Sequence, residues 1–225
     1  MAIPAKDLAA PTPPAKRRLV VIDRPNSPQS VLLLAKVLPI TGTQQGMEPL
    51  ALANEVVGGG FLSRLNTQLR EEKGWTYGVS SGVASDAGPR AFYIFTPVQS
   101  DRTADSIRLV LDEVAAFTSG GRGLDETEFQ RVTDGNIRAL PNSLQTNGQV
   151  LSALVANQRL GRPVDYQAKL PDIYRAIDAG QIDAAGRTFF APDDLAIIVI
   201  GDRKQIDEQL ATLGLPIEYR SAEEF

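Results

Sequence analysis

Three kinds of residue within the stretch GGGFLSRLNTQLREEKGWTYG can do chemistry: the glycines Gly58, Gly59 and Gly60, the guanidinium of Arg70 and the phenol of Tyr77. Arg offers a fixed fork of donors suited to carbonyl and carboxylate oxygens, and a Tyr hydroxyl can donate to an oxygen on which negative charge is developing. Glycines ahead of a helix leave backbone N–H groups open to an anion or a carbonyl oxygen. Each also has a plainer reading. The glycines then only turn the chain, Arg70 is a helix-surface residue paired with a nearby Glu, and Tyr77 is a half-buried strand residue. The glycines match neither G-x-x-x-x-G-K-[ST] nor a strand-borne G-x-G-x-x-G, which argues against a phosphate or dinucleotide cradle.

What the chain lacks narrows the chemistry further. Its 225 residues include no His and no Cys. A Ser-His-Asp triad, a thiol nucleophile, a thiolate metal site and the commonest zinc ligand are therefore all excluded within it. Carboxylates are plentiful in REEKG, DETE and APDDL, but the D-x-[DN]-x-[DN]-G pattern of a calcium loop does not occur. Asp193 and Asp194 read as a turn into a buried strand. The 23 basic against 27 acidic residues give a formal charge of −4, with no basic stripe to follow a phosphate backbone. Nucleic acid is not an expected partner. No apolar run reaches the roughly 18 to 20 residues that span a bilayer, and MAIPAKDLAAPTPPAKRR lacks a signal-peptide core. The expectation is a soluble protein, cytoplasmic or periplasmic, with no membrane insertion.

The elements that must position these residues follow from periodicity. Residues 1–16, with four prolines, read as a linker or tail, and 17–225 as a single domain. RLVVID (18–23) and SVLLLAKVLP (30–39) read as strands around the turn RPNSPQ. Leu50, Leu52, Ala53, Val56 and Val57 predict a helix over 49–57, closed by Gly58 at positive φ. A second helix follows over 61–72, with Phe61, Leu62, Leu65 and Leu69 as its apolar stripe and Arg64 off it. WTYGVSSGV reads as a strand with Tyr77, Val79 and Val83 on one face, and RAFYIFTPV (90–98) as its antiparallel neighbour.

Beyond these, Ile107 to Phe117 recur at helical spacing, and Asp125 with Glu128 resembles a capping box opening another helix. Leu151, Leu154 and Val155 mark a helix ending near Gly161, and Ile182, Ala185 and Phe189 one more, with Asp178 as N-cap. LAIIVIG (195–201) is a buried strand, followed by a short helix over 204–213 and a strand at PIEYR. Strands early and helices bunched later predict an α+β fold, an antiparallel-rich mixed sheet with helices on one face.

The segment VVGGGFLSRLNTQLREEKGWTYGVSSG resembles the one that identifies the non-catalytic C-terminal domain of M16 peptidases, the pitrilysin and mitochondrial processing peptidase family. VVIDRPNSPQSVLLLA, NSLQTNGQVLSAL, LGRPVDY and FFAPDDLAIIVIGD are similar to other parts of that domain, so the likeness runs over roughly residues 17–213. It implies the LuxS/M16 metallopeptidase-like fold. It also implies a partner domain or subunit that carries zinc on an inverted H-x-x-E-H motif, with the motif Glu as general base. This chain, having no His, would be the inactive half, holding no cofactor and completing the site for a peptide substrate. The family's R-x-x-x-x-x-x-Y pattern falls on Arg70 and Tyr77. The resemblance implies that Tyr77 donates to the scissile carbonyl while Arg70 holds a neighbouring one. Gly58, Gly59 and Gly60 resemble a shortened form of the family's glycine-rich segment. Within the same superfamily a scaffold role in assembly, without proteolysis, is the alternative. An independent hydrolase using carboxylates and a divalent metal is a third.

Overall fold

The computed structural model describes residues 17–221 and 223; the linker assigned to 1–16 lies outside them. Six strands form one sheet: β1 (Arg18–Asp23), β2 (Gln29–Thr41), β3 (Ser80–Val83), β4 (Pro89–Gln99), β5 (Ala196–Gly201) and β6 (Ile217–Arg220), in the order β3-β4-β2-β5-β1-β6. β1 is parallel to β5 and to β6, while β2–β4, β2–β5 and β3–β4 are antiparallel. The sheet is therefore mixed and mostly antiparallel, as the order of elements predicts.

Period-two alternation selects its faces. Ser30, Leu32 and Leu34 of β2, Phe92, Ile94, Thr96 and Val98 of β4 and Ile197 and Val199 of β5 are sealed from solvent beneath the helices. The neighbours between them, such as Leu33, Tyr93, Phe95 and Ile198, lie on the opposite face, where Tyr93 and Phe95 are exposed.

The covering helices are α1 (Glu48–Asn54), α2 (Arg64–Asn66), α3 (Thr103–Thr118), α4 (Glu126–Ala139), α5 (Asn147–Arg159), α6 (Tyr166–Ala176), α7 (Ala179–Phe189) and α8 (Arg203–Ala211). Their starts follow local chemistry. Asp125, Thr146 and Asp178 each accept from the backbone N–H three residues on, and the Glu or Gln there reaches back, forming three capping boxes. Stacking of Phe190 on Phe92, centroids 4.1 Å apart, ties the end of α7 to β4. One cluster of buried side chains runs from Leu19 through Val57, Leu65, Phe117 and Ile182 to Leu210.

Three helical expectations are corrected. The first helix does not stop at Gly58: α1 continues as a π-helical turn over Glu55–Gly59, and none of Gly58, Gly59 and Gly60 has positive φ. The second begins at Arg64, not Phe61, and it too passes into a π-helical turn, Thr67–Glu72. The third concerns α6, a helix that the spacing did not predict. Pro171 sits inside it, and packing of the buried Tyr166 and Leu170 outweighs that local break. The helix read from Leu151, Leu154 and Val155 forms as α5, but those three point outward and its one buried residue is Asn157.

Candidate functional site

The glycine segment is shaped by close approach. A Cβ on Gly58 would lie 2.8 Å from Ser81 Oγ, so only a bare Cα lets the π-helical turn rest on β3. The same contact brings two buried amides to the sheet edge. Asn54 Nδ2 donates to the Ser81 carbonyl at 3.1 Å, and Ser81 Oγ donates to Asn54 Oδ1 at 2.7 Å. Asn66 Nδ2 donates to the Val79 carbonyl at 2.7 Å while its Oδ1 accepts from Val79 N at 2.9 Å. Two side-chain amides thus stand in for a neighbouring strand along part of the outer edge of β3. Polar Asn54 inside the apolar run LALANEVV was the signal that the sequence held for the first of them.

Arg64 is the clearest departure from the predicted stripe. It is 4% exposed, whereas Phe61 and Leu62 are 68% and 63% exposed. Its Nε and Nη2 donate to Glu128 at 2.7 and 2.6 Å, and Nη1 and Nη2 donate to the carbonyls of Arg122 and Gly123, each at 2.8 Å. Glu113, also buried, lies 3.6 Å away and accepts from Gln68. Burial alone would raise the Glu128 carboxyl, but the hydrogen bonds and charge of Arg64 and the Asp125 backbone N–H outweigh it and hold it below the usual range. Burial likewise opposes the charge on Arg64, and its carboxylate partners raise its pKa above the ordinary value. Four of its five N–H donors are already used within the fold.

From there the helix delivers Arg70 into its last turn. The chain reverses at Gly74, φ 65°, where Gly74 N reaches the Arg70 carbonyl at 3.2 Å and Trp75 N the Leu69 carbonyl at 2.9 Å. The positive φ predicted for Gly58 belongs here. Thr76 then fixes the bend: its hydroxyl bridges the Gly78 N–H and carbonyl, each at 3.1 Å, and accepts from Thr96 Oγ1 at 3.0 Å.

β3 starts only at Ser80, so Tyr77 sits in this bend and does not share a strand face with Val79, which is buried. Tyr77 is 90% exposed, and its hydroxyl has no partner among the described residues. Arg70 lies over the Phe61 ring, 4.3 Å from its centroid, with Glu71 3.4 Å from its Nη1. No hydrogen bond joins Arg70 to Tyr77. They flank one tight turn, and both face away from the core. Such a turn can present hydrogen-bond donors to an extended chain lying across it. It carries no His, and among the described residues no three acidic side chains come close enough to hold a metal ion. No described helix is long and apolar enough to cross a membrane.

Against this geometry the comparisons are specific. Residues 3–136, more than half of the chain, match the family described as the peptidase M16 inactive domain. The chain belongs to that family. No curated protein matches it in sequence. A peptidase M16 inactive domain from Pseudomonas fluorescens superposes with a TM-score of 0.75 at 25% identity, over 86% of this chain and 45% of that one. A chain of complex III from Candida albicans gives 0.67 at 16%, covering 84% and 47%. The ferredoxin protease FusC, solved with Arabidopsis ferredoxin, gives 0.63 at 13%, covering 83% and 20%. The last two likenesses concern the fold. This chain spans less than half the length of each of these proteins.

Proposed function

We propose that the chain is the substrate-binding, non-catalytic half of an M16 zinc metallopeptidase, completing the active site of an H-x-x-E-H-bearing domain or subunit. Membership of the inactive-domain family supports this, as does the absence of any His. The observation that carries it is Tyr77: a bulky phenol 90% exposed on a turn pinned by Thr76 and Gly74, its hydroxyl free to donate outward. An aromatic placed this way without a ligand gains little for folding.

On this reading the partner's metal supplies the activated water. This chain binds and orients: the Arg70 fork donates to a peptide carbonyl, and the Tyr77 hydroxyl donates to the scissile carbonyl oxygen as it gains charge. Part of the outer edge of β3 is already bonded to Asn54 and Asn66, so a peptide held by Arg70 and Tyr77 as an added strand would lie on the partner's sheet.

The test mixes the purified chain with an H-x-x-E-H partner and follows cleavage of an unfolded peptide. Negligible turnover by the chain alone, turnover by the mixture, and its loss with Arg70→Ala or Tyr77→Phe are expected; full activity in both variants would overturn the clamp. A second reading, an assembly scaffold, is favoured by one observation. Val150, Leu151, Leu154 and Val155 form an exposed apolar stripe on α5, and a chain of a respiratory complex shares the fold. Capture of membrane-complex subunits and no peptidase by the tagged chain would favour it.

A further inference from the structure

A large cavity lies away from Arg70 and Tyr77, neither of which lines it. It has a volume of about 790 Å³, between α1, the turn after α4, α5 and α6. Two guanidinium groups line it. Arg90, near the start of β4, has its Nε tied to the Ala84 carbonyl at 2.7 Å, which leaves its terminal nitrogens for the cavity. Arg162, between α5 and α6, lies over the Tyr166 ring, 4.4 Å from its centroid. Neither has a carboxylate at ion-pair distance among the described residues. The acidic group on the wall is Glu48, and it accepts the Tyr166 hydroxyl at 2.6 Å. Burial, and then the charge of Arg162, hold the Arg90 guanidinium below its ordinary pKa, and the charge of Glu48 offsets this only in part. Burial and the Glu48 hydrogen bond raise the Tyr166 phenol well above its usual range, so it stays neutral and supplies no anion.

The remaining lining bears on the kind of ligand the cavity suits. Apolar Leu140, Leu144 and Leu170 stand beside polar Ser143 and Gln149, a surface suited to an organic group and larger than an inorganic ion requires. A second cavity, of about 410 Å³, is lined by Glu55 and Gly60 from the extension of α1, by Asn136 and Ala139 from α4, and by Phe61, the ring under Arg70. From Glu48 to Gly60 the helical rise covers roughly 18 Å, the reach of about five or six extended residues.

We infer that the Arg90–Arg162 cavity is a carboxylate-recognition site for a peptide, taking an acidic side chain or a chain terminus some residues away from the segment that Arg70 contacts. This rests on the peptide-binding reading above, since the carboxylate is assigned to a peptide. Planar forks at Arg90 and Arg162 can each donate two parallel hydrogen bonds to such a group.

One labelled octapeptide in four versions, with a central Glu or Gln and a free or amidated C-terminus, is titrated against the full chain by fluorescence anisotropy. The Gln amide should bind at least tenfold more weakly than the tightest version, and the two mixed versions separate the side-chain from the terminal source. Arg162→Gln and Arg90→Gln should each erase that preference. Glu48→Gln, which removes the competing negative charge and keeps an acceptor for Tyr166, should strengthen acidic binding severalfold. A folding defect cannot imitate that gain. Equal binding of all four versions, no binding of any, or inorganic phosphate competing as strongly as the acidic peptide would each overturn the inference. The clamp is read from turnover in the mixture with a catalytic partner, and this site from the charge preference of binding by the chain alone, so failure here and failure of the clamp are separate results.

Discussion

Arg64 and Arg70 stand six residues apart on one helical stretch, and the protein treats them in opposite ways. Arg64 is sealed under α4 with its fork filled by Glu128 and two carbonyls. Arg70 is partly exposed, rests on one ring and touches one solvated Glu. A guanidinium whose hydrogen bonds all end on fixed protein groups holds elements together. One held by a single flat contact remains available to something outside. The contrast extends to the two sides of the turn at Gly74, where Thr76 is fully bonded and Tyr77 not at all. Buried, fully bonded groups and exposed, unbonded ones therefore part within fourteen residues.

The comparison breaks most sharply at Arg64. Arg64→Ala leaves Glu128 buried without its cation and Glu113 with Arg122 alone, which should cost about 3 to 5 kcal/mol, read as a large drop in the denaturant midpoint. An effect within 1 kcal/mol would show that the cluster is dispensable. Next comes Tyr77→Phe. In the mixture with a catalytic partner it should lower kcat by roughly 10² to 10³, the range seen when one oxyanion donor is removed. The melting temperature of the chain alone should not move, because the hydroxyl bonds nothing in the fold. Stability and activity thus separate at the two positions, and a Tyr77→Phe protein that melts early would erase the distinction.

The sheet and most helices were legible because burial and periodicity agree there. RLVVID, LAIIVIG and RAFYIFTPV fall on strands, and the capping boxes at Asp125 and Asp178 mark real helix starts. The placement of the candidate site residues was not legible. A helical wheel puts Arg64 on the polar side because hydropathy ignores partners: Glu113 and Glu128, 49 and 64 positions away, make its burial favourable. Phe61 and Leu62 were assigned to the core since nothing in the chain shows that the helix begins three residues later. Tyr77 shares the period of Val79 and Val83, and only the bend held by Thr76 and Thr96 takes it off that face. The Arg90–Arg162 cavity had no sequence signal at all, since its walls come from four distant segments.

A smaller effect is expected from acid. With the folded Glu128 carboxyl held below its unfolded value, near 4.3, the associated stability is complete above that pH and is lost as pH falls through the folded value. Glu128→Gln should cost about 1.5 to 3 kcal/mol at neutral pH, as expected for a hydrogen bond to a charged group. It should cost little in strong acid, so wild type and variant converge in urea titrations as pH is lowered. Parallel stability profiles would show that the Arg64 cluster does not titrate through Glu128.

The smallest effect, and the one that most sharpens the contrast, concerns the ring beneath Arg70. Phe61→Ala removes a cation–π contact worth about 0.5 to 1 kcal/mol at an exposed site. Because Phe61 is 68% exposed, global stability should change by less than that. If the ring positions Arg70, the variant should raise KM severalfold in the mixture and leave kcat near wild type, since the fork still exists but must be ordered by the substrate. Phe61→Tyr, which restores a ring face, should recover the KM. A general surface defect would not follow the aromatic face in this way, and an unchanged KM in Phe61→Ala would mean that Arg70 finds its orientation without the ring.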